Sequence, residues 1–511
     1  MTHLPAIINE IERKAAEILE PTIYERREVM GIIRDYIREK ERKVYGGSAI
    51  NETLKNVNPK DAIYDEYTYT DIEFYSPTPV SDLVELTNIL YNKGKKYVIA
   101  REAVHEETYS IYVNFRQYCD ITYVPTRVYV GIKTLKIDGI NYVHPHFILI
   151  DQLRIINQPL TAASQRWEKT FNRMYMLLKN YPLEYYDKPL KIPPPENEIQ
   201  EHISKIKEDF MIMEGVIKTC LIGGFDAYNF YILHAMDDIN VKNQAMGDNN
   251  VENQAQVVND KEKQKLKKFL TNVPYIEIVS VNYRDTVEKL YYFVRNNVTD
   301  PKLISLEEYF PLFQFNDYSV FINYNGIPIA RVLKSDGYCV PNNKTEKGYM
   351  YVSFQYLLMS MFINKFRAYL DKDKEMYFRY SIAISNLVAA RNIFLTRNKL
   401  GVLNNTVFGE FKMSCVGTTM SYLREGHLKS FERFKKGKTL FRYMPEQFYE
   451  LSPEDQKKFD PSKHCFKNTS GNKILNPKNL LFKLDKEGNI IKDDESENEC
   501  MEKTINEKNE Q

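Results

Sequence analysis

Gly46-Gly47-Ser48, set behind the short apolar run Val44-Tyr45 and ahead of a helix-forming stretch, constrains this 511-residue chain more than any other feature. Paired glycines let backbone approach a ligand, and the helix N-terminus beyond them offers N–H donors and a favourable dipole. Downstream, Asp71-Ile72-Glu73-Phe74 sets two carboxylates two residues apart. Alternate residues of a strand share a face, so Asp71 and Glu73 project together while Ile72 and Phe74 turn to a core. A third acid, Asp120, lies among strand formers in Gln117–Val124. Three carboxylates from two neighbouring strands, facing a glycine turn, suit two divalent cations and a triphosphate. Acids crowded in this way repel one another without cations, which implies magnesium or manganese held by Asp71, Glu73 and Asp120. The expected chemistry is nucleotidyl transfer, with Gly46, Gly47, Ser48 and, one turn on, Asn51 binding the nucleotide.

With these residues in place, Gly46-Gly47-Ser48, Asp71-Ile72-Glu73 and Asp120 resemble the signature of the polymerase-beta-like nucleotidyltransferases. The wider context, Gly46 to Asn51 and the segment from Val143-His144-Pro145 to Arg166-Trp167-Glu168-Lys169, resembles the catalytic subunits of poly(A) polymerases of large cytoplasmic DNA viruses, poxvirus and giant-virus types. The likeness is good over residues 35–180 and loose elsewhere. One departure from the common cellular pattern is the spacer: 23 residues separate Gly47 from Asp71.

The resemblance implies an enzyme that adds AMP from ATP to the 3′ end of single-stranded mRNA without a template, releasing pyrophosphate. It also implies a cytoplasmic setting in the infected cell or viral factory, with packaging in the virion as a further option, and a processivity partner or a homodimer. Choice of adenine and of mRNA rests on the resemblance alone. From the residues, a terminal uridylyl, CCA-adding or second-messenger transferase, or a non-catalytic RNA-binding scaffold, stays open.

Composition sets the outer limits. A chain of this length with 43% hydrophobic residues buries a large core. Net charge is +1, so RNA contact requires local basic patches. Six scattered cysteines without a Cys-x-x-Cys pattern read as reduced thiols of a cytosol-like compartment. No apolar run reaches the length of a membrane span, and the N-terminus does not read as a signal peptide, so no membrane partner is expected.

The expected fold class is α+β, a mixed α/β nucleotidyltransferase palm with helical segments, followed by a second and inert copy. Residues 1–43 read as a helical support whose basic run, Arg34 to Lys43, is a minor candidate for an RNA surface. Residues 44–187 form the catalytic domain, with a helical stretch from 140, and the prolines of 188–197 read as a linker. Residues 198–400 carry echoes of the first half. Leu221-Ile222-Gly223-Gly224 repeats the glycine turn, Tyr275-Ile276-Glu277 repeats Asp71-Ile72-Glu73 with the first acid lost, and Ser319–Tyr324 repeats Ser110–Phe115. No third acid follows in Gly326–Leu333, so this copy cannot hold two metals. The polar stretch 237–268 reads as a disordered insertion and 484–511 as a disordered tail.

Residues 401–483 form a basic, aromatic region. Between Arg424 and Arg442 seven cations (Arg424, Lys429, Arg433, Lys435, Lys436, Lys438, Arg442) face two Glu, with Phe431, Phe434, Phe441 and Tyr443 interleaved. Cations that track phosphates and rings that stack on bases are what single-stranded RNA requires.

Overall fold

The computed structural model describes residues 4–64, 70–103, 105–158, 166–186, 188–237, 260–410, 412–418, 422–435, 437 and 440–491. The first half builds seven strands: β1 Lys43–Tyr45, β2 Ile72–Ser76, β3 Ile99–Glu102, β4 Thr108–Val113, β5 Arg116–Tyr123, β6 Thr134–Ile137 and β7 Ile140–Val143. The second half builds eight: β8 Cys220–Ile222, β9 Ile276–Ser280, β10 Ile304–Tyr309, β11 Ser319–Tyr324, β12 Ile327–Lys334, β13 Cys339–Lys344, β14 Met350–Val352 and β15 Cys415–Gly417. A further strand, β16 Arg442–Tyr443, returns to the first sheet.

The first sheet runs β16-β3-β4-β5-β2-β1-β7-β6 and the second β10-β11-β12-β9-β8-β14-β13-β15. Leave out the two edge additions, β16 and β15, and the orders match strand for strand. Orientation matches as well. In both sheets the first two contacts are antiparallel, the third parallel, the fourth antiparallel, the fifth parallel and the sixth antiparallel. The second half is therefore the same mixed fold as the first. Each copy opens with a helix directly after its glycine turn, Gly46–Val57 and Gly224–His234. One buried apolar cluster runs through both copies.

Several expectations need correction. Residues 140–143 form β7, not a helix; three or four residues ahead of Pro145 are too few to show a period, and the helix starts at the proline. Part of the basic run is spent inside the fold, while Arg34 and Arg38 are exposed. Arg42 pairs with buried Asp82 at 2.8 Å, Lys40 with Glu85 at 2.6 Å, and Lys43 Nζ donates to the Tyr129 and Ile132 carbonyls. Burial lowers the Lys43 ammonium to about 8.

In the proline segment read as a linker, Leu190 and Ile192 are buried. Within 237–268, residues 260–267 are helical and Leu266 is buried; 238–259 lie outside the described residues. Lys483–Leu484 and Ile490–Ile491 make a small hairpin where a disordered tail was expected, and 492–511 lie outside the described residues. Residues 401–483 lie along both sheets, with β15 on one and β16 on the other. Cys339 and Cys415 are disulfide-bonded with Cα atoms 5.4 Å apart, whereas Cys119 and Cys220 are free and buried. A separation of 76 residues hid that pair from any spacing rule.

Candidate active site

Gly46 sits at φ +68, the left-handed region that favours glycine, and starts the helix Gly46–Val57. A Cβ built on it overlaps Glu73 Oε2. One residue on, the Gly47 N–H donates to the same oxygen at 3.1 Å. The turn and the strand β2 therefore meet with no room for a side chain. We expect Gly46→Ala to cut nucleotide incorporation about 10²-fold or more, because the methyl displaces Glu73 and the backbone strain costs a further ~1–2 kcal/mol. Gly224, its counterpart at φ +57, has Glu277 Cβ 2.9 Å from a built Cβ, and Gly224→Ala should lower the melting temperature and leave incorporation by the folded protein unchanged.

Parallel pairing of β2 with β5 puts Glu73 directly beside Asp120. Asp120 Oδ1 accepts from Ser110 Oγ at 2.5 Å and from Gln117 Nε2 at 2.9 Å. Gln117 Nε2 also reaches Asp71 Oδ2 at 3.5 Å, so one amide spans two of the acids. Ile72 and Phe74 are buried on the opposite face. Burial first, then the charge of Asp71, raises Glu73 to about 7. Burial raises Asp120 to about 6 against the opposing hydrogen bond from Ser110.

From the far side comes the helix Trp167–Asn180. Arg173 Nη2 donates to Tyr64 Oη at 2.8 Å and stands 3.0 Å from a Cβ built on Gly47. Burial, with Arg173 and Arg166 as neighbours, lowers the Lys169 ammonium. The site is thus a carboxylate cluster on one wall, a glycine turn on the floor and a cationic helix opposite.

Of the sequence candidates, Asp71, Glu73, Asp120, Gly46 and Gly47 converge here. Ser48 Oγ donates to the Asp71 carbonyl at 3.2 Å, which ties the turn to the acid strand. Asn51 is turned to other work: its Oδ1 accepts from Ile63 N at 3.0 Å and Tyr64 N at 2.9 Å. Asn229 repeats that clasp on Thr271 in the second copy. Arg154, on the helix Pro145–Ile156, donates to the Gln314 carbonyl of the other half at 2.8 Å. Sequence reasoning missed Arg173 and Tyr64. Arg166, Lys169 and Arg173 fall three and four residues apart on one helix face, the signal that could have found the former.

The residues fit divalent cations. Every donor is a hard oxygen, and two of the three carboxylates are destabilised as anions, which a cation reverses. Among the described residues no three acids, histidines or cysteines enclose an ion by themselves. Carboxylates bridged by one amide leave room for phosphate oxygens to complete a cation's shell.

A pH dependence follows with a definite sign. Both folded-state values are raised above 4.5 and 3.8, so ionising these acids costs stability. That cost is absent at pH 4, grows toward 7 and is full above it. In chelator, the melting temperature should therefore fall from pH 5 to 7.5 through this site. Magnesium should restore more at 7.5 than at 5, and Asp71→Asn with Glu73→Gln should flatten both curves.

The second copy occupies the same positions with other chemistry. Register carries Ile72 to Ile276, so Tyr275 stands for Asp71 and Glu277 for Glu73, while Arg331, paired beside Glu277, stands for Asp120. Gly224 falls on Gly46 and Gly223 on Tyr45, one residue off the alignment that the doubled glycines suggest.

A sheet of this order with this acid set defines a nucleotidyltransferase of the polymerase-beta type. Comparison with known proteins narrows the class. Residues 31–162 match the profile described as "Poly(A) polymerase catalytic subunit", and 197–484 match one for the C-terminal part of that subunit from mimivirus. A protein of Acanthamoeba polyphaga mimivirus named "Putative poly(A) polymerase catalytic subunit" is 56% identical over 500 residues, 95% of this chain and 84% of its own length. African swine fever virus proteins of the same name are 29% identical over 176 residues, 34% of this chain and 37% of theirs. The crystal structure of the Megavirus polyadenylate synthase superposes with a TM-score of 0.90 at 57% identity, covering 97% of this chain and 95% of that one. The chain belongs to the viral poly(A) polymerase catalytic subunits. Nucleotidyl transfer in this family uses divalent metals.

Proposed function

We propose that the first sheet performs polyadenylation with Asp71, Glu73 and Asp120 as the catalytic acids. The chain is a polynucleotide adenylyltransferase that builds poly(A) from ATP, releasing pyrophosphate, and the reaction belongs at that set. The observation that carries the assignment is the parallel register that sets Glu73 beside Asp120, two residues from Asp71, against the Gly46-Gly47 turn. Magnesium or manganese held by these acids would neutralise the phosphate oxygens and stabilise the entering and leaving oxygens.

The chain's own groups do the rest. Gly46-Gly47 and the helix behind them cradle the triphosphate, and Arg173 and Lys169 balance its charge from the opposite wall. Asp120 is a carboxylate at neutral pH and accepts the primer hydroxyl proton. Gln117 keeps Asp120 and Asp71 in register. Pyrophosphate release that requires ATP, an RNA primer and cation together tests this reading; release without primer would sink it.

The mRNA 3′ end enters over the first sheet, with the RNA behind it on the helix Tyr422–Lys435. This helix lies near the β16 edge, where Arg433 pairs with Glu102 of β3. Phe431 and Phe434 are exposed, and Lys435 lies 4.9 Å over the Phe431 ring. Arg424 and Arg442 are exposed too; Lys436 and Lys438 lie outside the described residues, as does the Lys429 side chain. Tyr443 is buried and Phe441 packs on Tyr109, so these two rings are not free to stack on bases as expected. Arg424→Ala with Lys435→Ala should weaken RNA binding about tenfold and reduce its salt slope by roughly 1–2. AMP addition at saturating primer should persist.

Retention of RNA through a long tail is assigned to a processivity partner or a second copy of the chain. The infected-cell cytoplasm is the proposed compartment, on the likeness to enzymes of cytoplasmic DNA viruses.

A further inference from the structure

The position that holds Asp120 in the first sheet holds a guanidinium in the second. Arg331 is 2% exposed; its Nη1 donates to Glu277 Oε2 and to Asn364 Oδ1, both at 3.2 Å. Its Nε and Nη2 are buried and meet no acceptor among the described residues. Arg367, 9% exposed, likewise has Nε and Nη2 buried with no acceptor among the described residues. It comes from the helix Phe354–Leu370, which has 17 residues against 12 in its first-copy counterpart Pro145–Ile156. Counted from the paired strands, Arg367 stands on the added length.

Charge in this cluster does not balance. Glu277 pairs with Arg331 through Oε2 alone; Oε1 lies on the turn side, 3.1 Å from a Cβ built on Gly223. Asp371, the carboxylate that acts on Arg367, is paired with Arg127. Burial and the neighbouring Arg331 lower Arg367 to about 10. Rings close the surroundings, with Phe321 under Arg331 at 5.2 Å and Tyr309 under Arg367 at 5.4 Å. A buried cation without a counter-charge is costly, and unpaired donors add to the cost. Forked guanidinium donors are the protein groups best matched to phosphate.

We propose that the degenerate centre of the second sheet is an anion site, taking one phosphate-sized oxyanion between Arg331 and Arg367. Inorganic phosphate and the terminal phosphoryl group of a nucleotide share the required chemistry. The enclosure is too complete for a polynucleotide to pass through. Where the first copy uses acids to gather cations, the second, by exchanging Asp for Arg at one register position, gathers an anion.

Thermal unfolding of the full chain in chelator, with phosphate replacing chloride at fixed ionic strength, tests this. The melting temperature should rise saturably by roughly 3–6 °C. Arg367→Met leaves the Arg331–Glu277 pair intact and should unfold no lower than the natural protein in phosphate-free buffer, yet lose the saturable rise. If that variant fails to fold, Arg367→Lys, which keeps charge and loses the fork, should bind phosphate several-fold more weakly. ATP tested on Asp71→Ala separates the sources: a rise with ATP and none with inorganic phosphate assigns the site to a nucleotide. No rise with either anion, or an equal rise in natural protein and Arg367→Met, overturns the proposal.

Discussion

Asp71→Ala should lower pyrophosphate release from ATP and RNA primer by at least about 10³-fold while the protein keeps its fold and its RNA affinity. Asp71 sits at the edge of β2, and the main-chain link from Ser48 goes to its carbonyl, which alanine retains. Among the described residues its side chain is held only by the long 3.5 Å contact from Gln117, so the fold loses little. On the proposed assignment, what disappears is one of three hard oxygen ligands at the place where phosphate charge is neutralised, and electrostatic stabilisation of that kind is the largest catalytic contribution most enzymes have. Unfolding curves and RNA titrations beside the kinetic assay separate this loss from misfolding. A variant that retains a tenth of the activity would move catalysis away from this cluster.

The second large effect is expected far from the chemistry. Arg331→Met should destabilise the protein by about 3–5 kcal/mol, because it strands Glu277 as a buried carboxylate without its partner. Glu277 is 2% exposed, and Arg331 Nη1 donates to it at 3.2 Å. Replacing both, Arg331→Met with Glu277→Leu, should recover most of that loss, since an apolar pair of similar volume avoids the desolvation of two charges. Primer extension by the folded fraction should be unchanged in each. Denaturant midpoints of the two singles and the double give the coupling, and additive effects would contradict a paired, buried ion couple.

Much of this was legible in the chain because local backbone geometry forces residue choice. The turn at Gly46 admits no side chain, so its glycine is visible, and Asp71-Ile72-Glu73 shows its strand by alternating carboxylate with buried apolar residue. The second copy was legible for the same reason, through Gly224 and Tyr275-Ile276-Glu277. What stayed hidden depends on pairing across distance. That Arg331 stands where Asp120 does follows only from strand register, and the one-residue slip between Gly223-Gly224 and Gly46-Gly47 shows only once β8 and β1 are laid against their partners.

The misreadings share a cause too. Arg42, Lys43, Phe441 and Tyr443 look available in a linear chain and are engaged by Asp82, by two carbonyls and by an aromatic cluster once it folds. Asn51, placed one turn past the glycines, was within reach of a nucleotide by spacing. A loop 12 and 13 residues further on takes its amide oxygen instead.

The most direct test of the central claim is primer extension by the purified protein, given a short labelled RNA, magnesium or manganese, and each nucleoside triphosphate singly. Long tails with ATP alone are the predicted result. Efficient tailing with another nucleotide, or no incorporation by protein that still binds the RNA, would contradict it.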